Sequence, residues 1–173
     1  MITHSIHTED SSVHWTYFDT INQNVLDLGC GRWHSNNYEE LSPIYFGRTA
    51  DKVIGVDANG GCIDFYIDYT NNDSKFTFIY KHITDVNEVR EWLVKYNITA
   101  LKCDIEGDEK LLLDLTTDDL INVKELAIEY HNDSLKQDFL IKAKEWGFNL
   151  KAEGKFVNVD NMGVLFYSKS FKN

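Results

Sequence analysis

A single proline and only three cysteines in 173 residues set the first limits on this chain. With proline so scarce and glycine at only ten positions, no low-complexity tract or long linker divides it, and no internal repeat is present. Cys30, Cys62 and Cys103 are odd in number and lack CxxC or metal-ligand spacing, so they read as reduced bystanders rather than a disulfide or zinc site. No apolar run approaches membrane-spanning length, and residues 1–12 show no basic–apolar leader pattern. The expectation is a soluble, cytoplasmic protein with no membrane partner. Basic residues are scarce as well: 17 Lys and Arg against 28 Asp and Glu give a formal charge of −11. Scattered as they are, they form no phosphate-neutralising cluster, so a nucleic-acid partner is not expected. Length and a 43% hydrophobic content suit one core. The reading is one domain over 1–173, with 1–23 as an N-terminal arm or lid.

What is present is a set of strand-like runs that end on glycine and acid. Val25-Leu26-Asp27-Leu28 leads into Gly29-Cys30-Gly31, and Val53-Ile54-Gly55-Val56 ends on Asp57-Ala58. Glycines let the backbone bend sharply and let a ligand lie against it, while an acid at the next strand end can accept hydrogen bonds from ribose hydroxyls. That pattern suits an adenine nucleoside cofactor. A dinucleotide fingerprint would place a third glycine at position 34, which is His, so a nicotinamide-dependent oxidoreductase is disfavoured.

Apolar periodicity places further strands at 76–82, 98–104 and 123–130, beside those at 24–28 and 52–57. Val86, Val89, Leu93 and Tyr96 predict a helix over 86–96 behind an Asp85-x-x-Glu88 capping box. Leu111, Leu112, Leu115 and Leu120 suggest a second helix, and a third begins at Ser134-x-x-Gln137 and stops at Gly147. Asn36–Leu41 is weakly helical, with Ser42-Pro43 able to start a new turn. Residues 148–156 and 162–168, joined by Asn158–Asn161, read as a terminal antiparallel hairpin.

Two acidic clusters fall at strand ends. Ala100–Cys103 runs into Asp104, Glu106, Asp108 and Glu109. The ligand crevice of an open parallel sheet lies outside the carboxyl ends of its strands, so Asp104 and Glu106 are expected to face it. Asp108 and Glu109 suit the first turn of the following helix and are given a structural role. Leu126–Ile128 leads to Glu129 and His131, which share a face by the two-residue period of a strand. His131 or Asp104 is the candidate general base, with Glu106 and Glu129 positioning acceptor hydroxyls. A divalent metal gathered by Asp104, Glu129 and His131 is the alternative. His4, His7 and His14 fit no helix face and are read as part of the N-terminal arm, which Trp15, Tyr17 and Phe18 pack onto the core.

Asp27-x-Gly29-x-Gly31 with the distant Asp57 resembles motif I and the acidic motif of Rossmann-like S-adenosylmethionine-dependent methyltransferases. Leu101-Lys102-Cys103-Asp104-Ile105-Glu106-Gly107-Asp108-Glu109 with Ile128-Glu129-Tyr130-His131 is similar to the signatures of the FkbM-type branch, mostly O-methyltransferases. The resemblance implies an α/β fold: a mostly parallel seven-stranded sheet, helices on both faces and a C-terminal antiparallel hairpin. It also implies S-adenosylmethionine as cofactor, held by Asp27, Gly29, Cys30, Gly31, Asp57 and Ala58, with Asp85 near the adenine amino group. A small hydroxyl acceptor such as a sugar follows from it. A non-catalytic module that keeps the cofactor pocket is the rival reading.

Overall fold

A computed structural model describes residues 2–6, 15–31, 38–156 and 161–169. Its elements in chain order are β1 (Ile2–Ile6), β2 (Asn24–Leu28), α1 (Ser42–Gly47), β3 (Lys52–Asp57), α2 (Gly60–Tyr69), β4 (Phe76–Tyr80), α3 (Val86–Lys95), β5 (Ala100–Cys103), β6 (Glu125–Tyr130), α4 (Asp133–Glu145), β7 (Phe148–Phe156) and β8 (Gly163–Lys169). They build one sheet in the order β1-β7-β8-β6-β5-β2-β3-β4. All pairs are parallel except β6–β8 and β7–β8, so the terminal hairpin inserts antiparallel as expected. The seven expected strands are all present. The eighth, β1, comes from the segment read as an arm or lid: Ile2–Ile6 pairs in parallel with Ala152–Phe156 at the sheet edge, with four strands between it and β2. His4 therefore lies on an edge strand, while His7, His14 and the 157–160 link fall outside the described residues.

The central strands are continuous apolar runs because both of their faces are covered. Val25, Leu26, Leu28, Val53, Ile54, Val56, Ala100 and Leu101 have no exposed surface. On one face α3, α4 and the 109–115 segment bury Val89, Leu112, Phe139 and Ala143 against Leu26, Leu101 and Leu126. On the other, Trp15 and Phe18 pack edge-on against Phe46 at 5.1 and 5.2 Å, covering Val25, Val53 and Phe166.

Several helix boundaries differ from the sequence reading for local reasons. Leucines 111–120 predict a helix, but Glu109–Asp114 forms only a 3₁₀ turn. The backbone is diverted at Thr116, whose N–H and hydroxyl both donate to Asp119 Oδ2 at 2.8 Å. Helix α4 starts on Asn132, whose Oδ1 accepts from Leu135 N at 2.8 Å, two residues ahead of the expected Ser134. Asp85 does cap α3, but Glu88 completes no capping box because it pairs with Lys81 at 2.6 Å. Of Asn36–Leu41 only Tyr38–Glu40 coils, as a 3₁₀ turn; positions 36 and 37 lie outside the described residues. Helix α2 has no counterpart in the sequence reading; Asn59 caps it by accepting from Gly61 N and Cys62 N.

Candidate functional site

The carboxyl ends of β2, β3 and β5 open on a cleft of about 570 Å³, lined by Gly29, Gly31, Asp57, Ala58, Asp104 and Glu106 among others. Asp57 ends β3 with its two oxygens in different situations. Oδ1 accepts from Asn59 N at 2.7 Å, fixing the turn into α2. Oδ2 faces Gly31, where an added Cβ would lie 3.3 Å from it. The glycine leaves this oxygen beside bare backbone, with no hydrogen bond to it among the described residues, as a ribose-bearing ligand requires. Lys81, His82 and Ile83, in the loop after β4, also line it, with Lys81 N donating to the Asp57 carbonyl at 2.8 Å.

Three residues expected at the cofactor do not line this cleft. Asp27 is fully buried beneath it, accepting from Ser42 Oγ at 2.6 Å and pairing with Lys102 Nζ at 3.0 Å. The register dictates that pair, since Asp27 stands directly across from Lys102 in the β2–β5 ladder. Cys30 is buried too, and its carbonyl accepts from Tyr66 Oη at 2.8 Å. Asp85 is exposed and spends Oδ1 on Asn87 N at 2.9 Å, the capping role. Gly29 lines the cleft, yet its side chain is excluded by packing: a Cβ there would fall 1.5 Å from the Asp104 carbonyl oxygen.

The four candidate catalytic residues do converge. His131 Nε2 lies 3.7 Å from Glu106 Oε2 and 3.8 Å from Glu129 Oε1. Its Nδ1 lies 3.3 Å from Glu109 Oε2, without hydrogen-bonding alignment. Glu109, given a structural role from the sequence, has one here and also faces the cluster. It has no exposed surface, and its carboxylate accepts from Ile105 N at 2.9 Å and Gly107 N at 3.1 Å. The turn that allows this places Glu106 at φ +55 and Gly107 at φ +104. Burial raises the Glu109 carboxyl, but the facing His131 and these backbone amides outweigh it and leave it below the ordinary carboxylate range. Glu109, and beside it Asp104 and Glu106, raise the His131 imidazole against the opposing effect of burial.

Glu129 behaves in the opposite way. Burial and the neighbouring Asp104 carboxylate push its carboxyl far above the ordinary 4.5, so Glu129 keeps its proton at neutral pH. A folded-state value above the unfolded one means the native chain holds a proton that the unfolded chain has released, and stability falls as pH rises above 4.5. Glu129→Gln carries no such cost. Its stability relative to the parent is expected to be about 1–2 kcal/mol more favourable at pH 8 than at pH 4 in urea titrations, and an equal difference at both pH values would refute the raised Glu129 carboxyl.

No protein-family model matches the chain, and no curated protein sequence does. Solved structures do. A Streptococcus mutans protein assigned as a methyltransferase, in complex with S-adenosylhomocysteine, superposes with a TM-score of 0.60 at 14% identity, over 92% of this chain and 98% of its own. A Streptococcus pneumoniae protein assigned as a tRNA (m1A22) methyltransferase, in complex with S-adenosylmethionine, gives 0.61 at 15% identity, over 89% and 70%. An rRNA methylase from Streptococcus thermophilus gives 0.60 at 14% identity, over 92% and 97%. The chain has the fold of Rossmann-like methyltransferases. The narrower FkbM-type likeness rests on the Lys102–Glu109 and Glu129–His131 motifs alone. The expectation that nucleic acid is excluded as a partner is corrected: proteins assigned to tRNA and rRNA methylation share this fold across most of the chain, and a charge summed over the whole sequence does not describe the surface around one cleft. No helix among the described residues is long and apolar enough to cross a membrane.

Proposed function

We propose that the chain is a single-domain S-adenosylmethionine-dependent methyltransferase acting on a sugar hydroxyl, carried by a small molecule or by RNA. The observation that carries this reading is a cleft lined by Asp57, with an oxygen beside Gly31, and by Asp104 and Glu106, the last of which faces His131 and through it Glu129. A bound sulfonium supplies an already activated methyl group; what remains for the chain is to align an acceptor, exclude water and take up a proton. Asp57 Oδ2 accepts from the ribose hydroxyls, and the Gly29–Gly31 backbone lies along the amino-acid moiety. Asp104 and Glu106 accept hydrogen bonds from the acceptor's hydroxyls at the cleft wall. The proton leaves to the carboxylate and imidazole groups behind them.

Titration calorimetry with S-adenosylmethionine tests the first half of this reading, with NADH as the competing ligand. Asp57→Ala is expected to weaken S-adenosylmethionine binding by about 1–3 kcal/mol, since charge-assisted hydrogen bonds are lost. Unchanged affinity would remove Asp57 from the site, and NADH binding in its place would overturn the cofactor assignment. Labelled methyl transfer, screened over free sugars, nucleosides and RNA, tests the second half. Binding without transfer to any acceptor would favour a module that holds the cofactor without catalysis.

A further inference from the structure

We propose that Asp104, Glu109 and His131 form a divalent-cation site beside the cleft, whose wall Asp104 lines, suited to a first-row transition ion such as Mn²⁺ or Zn²⁺. A carboxylate oxygen of each acid and a ring nitrogen of His131 lie within 4.8 Å of one another. Asp104 and Glu109 come from the segment that follows β5 and His131 from the end of β6, so the pairing of β5 with β6 brings the two halves together. Metal bonds of about 2.1 Å would draw the three inward by roughly 1 Å, within the reach of side-chain rotation.

The cluster is not merely acidic, for two independent reasons. Asp104 Oδ1 is a buried atom that lacks a hydrogen-bond partner among the described residues, a state that costs about 1–3 kcal/mol unless something binds it, and the buried His131 Nδ1 has only the misaligned Glu109 Oε2 at 3.3 Å. The Asp104 Oδ2 oxygen is already engaged, 3.6 Å from Lys102 Nζ. Glu109 meanwhile is anchored as an outer-shell network anchors a ligand: the Ile105 and Gly107 amides fix its carboxylate with no solvent exposure, leaving Oε2 turned toward the imidazole. Charge balance points the same way. The Asp104, Glu106 and Glu109 carboxylates gather around His131, and the nearby buried cation, Lys102, is divided between Asp27 and Asp104. Two oxygens and one imidazole nitrogen favour a transition ion over Ca²⁺ or Mg²⁺, whose preferred ligands are all oxygen. In the methyl-transfer reading, on which this catalytic use rests, such an ion would lower the pKa of the acceptor hydroxyl beside Asp104.

The test uses the full chain without S-adenosylmethionine. Calorimetry and Mn²⁺ electron paramagnetic resonance with MnCl₂, with ZnCl₂ and MgCl₂ in parallel, are expected to show one site per chain, with Mn²⁺ or Zn²⁺ tighter than Mg²⁺. His131→Ala and Glu109→Gln should each weaken it about 10–100-fold, the effect of losing a ligand or its support, whereas Asp108→Asn should change it less than about threefold. Circular dichroism checks that each variant folds, and His131→Ala, which removes no backbone anchor, decides the matter if Glu109→Gln does not. No binding at millimolar metal, or equal binding in parent and His131→Ala, would overturn the site. Metal binding without S-adenosylmethionine affinity would leave the cation site standing and the methyltransferase reading refuted; the reverse result separates them equally well.

Discussion

Lys102→Met is expected to cost the fold about 3–5 kcal/mol, the range for breaking a buried ion pair by removing one partner. Lys102 Nζ holds three groups beneath the cleft: the Gly29 carbonyl at 2.7 Å, Asp27 Oδ1 at 3.0 Å and Asp104 Oδ2 at 3.6 Å. Burial lowers the Lys102 ammonium, but the two carboxylates outweigh it and raise it above its ordinary value. Asp27 shows the complementary strain, with burial raising its carboxyl while Lys102 and the Ser42 hydroxyl pull it down. Methionine matches the length of the lysine stem and leaves Asp27 buried without its cation. Asp27→Asn in the same chain should restore part of the loss, because the amide keeps an acceptor for Ser42 and carries no charge. Urea denaturation of the parent, both single variants and the double variant gives the coupling. A loss below about 1 kcal/mol in Lys102→Met would show that the pair is not what holds the glycine turn to β5.

That network also marks where the sequence stops being legible. Strands β2, β3 and β5 read correctly because a parallel strand covered on both faces is a continuous apolar run, and Asp57 is legible as a strand end because that run stops at it. Asp27 interrupts the same kind of run, and nothing in its neighbours in sequence shows that β2 and β5 will register it against Lys102. The lysine itself was the available signal: a charged residue inside Ala100–Cys103 conflicts with a buried strand unless an acid faces it. The place of Glu109 beside His131 was hidden for a different reason. Its spacing from Gly107 suits a helix start, whereas the positive φ angles of Glu106 and Gly107 turn the chain back so that the carboxylate caps its own approach and faces His131. Helix α2 was missed because Gly60 and Gly61 are poor helix formers, and only the Asn59 cap followed by Cys62, Ile63 and Tyr66 betrays it. Asp85 carried two compatible readings, and its exposure together with the bond to Asn87 favours capping.

Gly29→Ala is expected to be the most damaging single-methyl change in the chain, at more than about 4 kcal/mol, a size reserved for substitutions the backbone cannot absorb. Two causes add. Gly29 sits at φ +71, where an alanine costs about 1–2 kcal/mol, and the new Cβ would fall 1.5 Å from the Asp104 carbonyl oxygen and 2.6 Å from its carbon. Neither of those atoms can swing aside, because Asp104 N donates to the Leu28 carbonyl at 3.0 Å and so ties the end of β5 to β2. Relief therefore requires the turn to lift away from β5, stretching the Lys102 bond to the Gly29 carbonyl and the bonds from Gly29 N and Cys30 N to the Val56 carbonyl. Gly107→Ala is the matched control. Its φ of +104 is equally unfavourable for a side chain, but a Cβ there meets nothing within 4 Å, so only the conformational cost of about 1–2 kcal/mol applies. Thermal and urea unfolding of the two variants separate strain from collision; losses that agree within about 1 kcal/mol would mean that the close approach of the two strand ends is not what demands glycine at position 29. Where Gly29→Ala still folds, S-adenosylmethionine affinity should fall with stability, since the same turn forms the floor of the cleft.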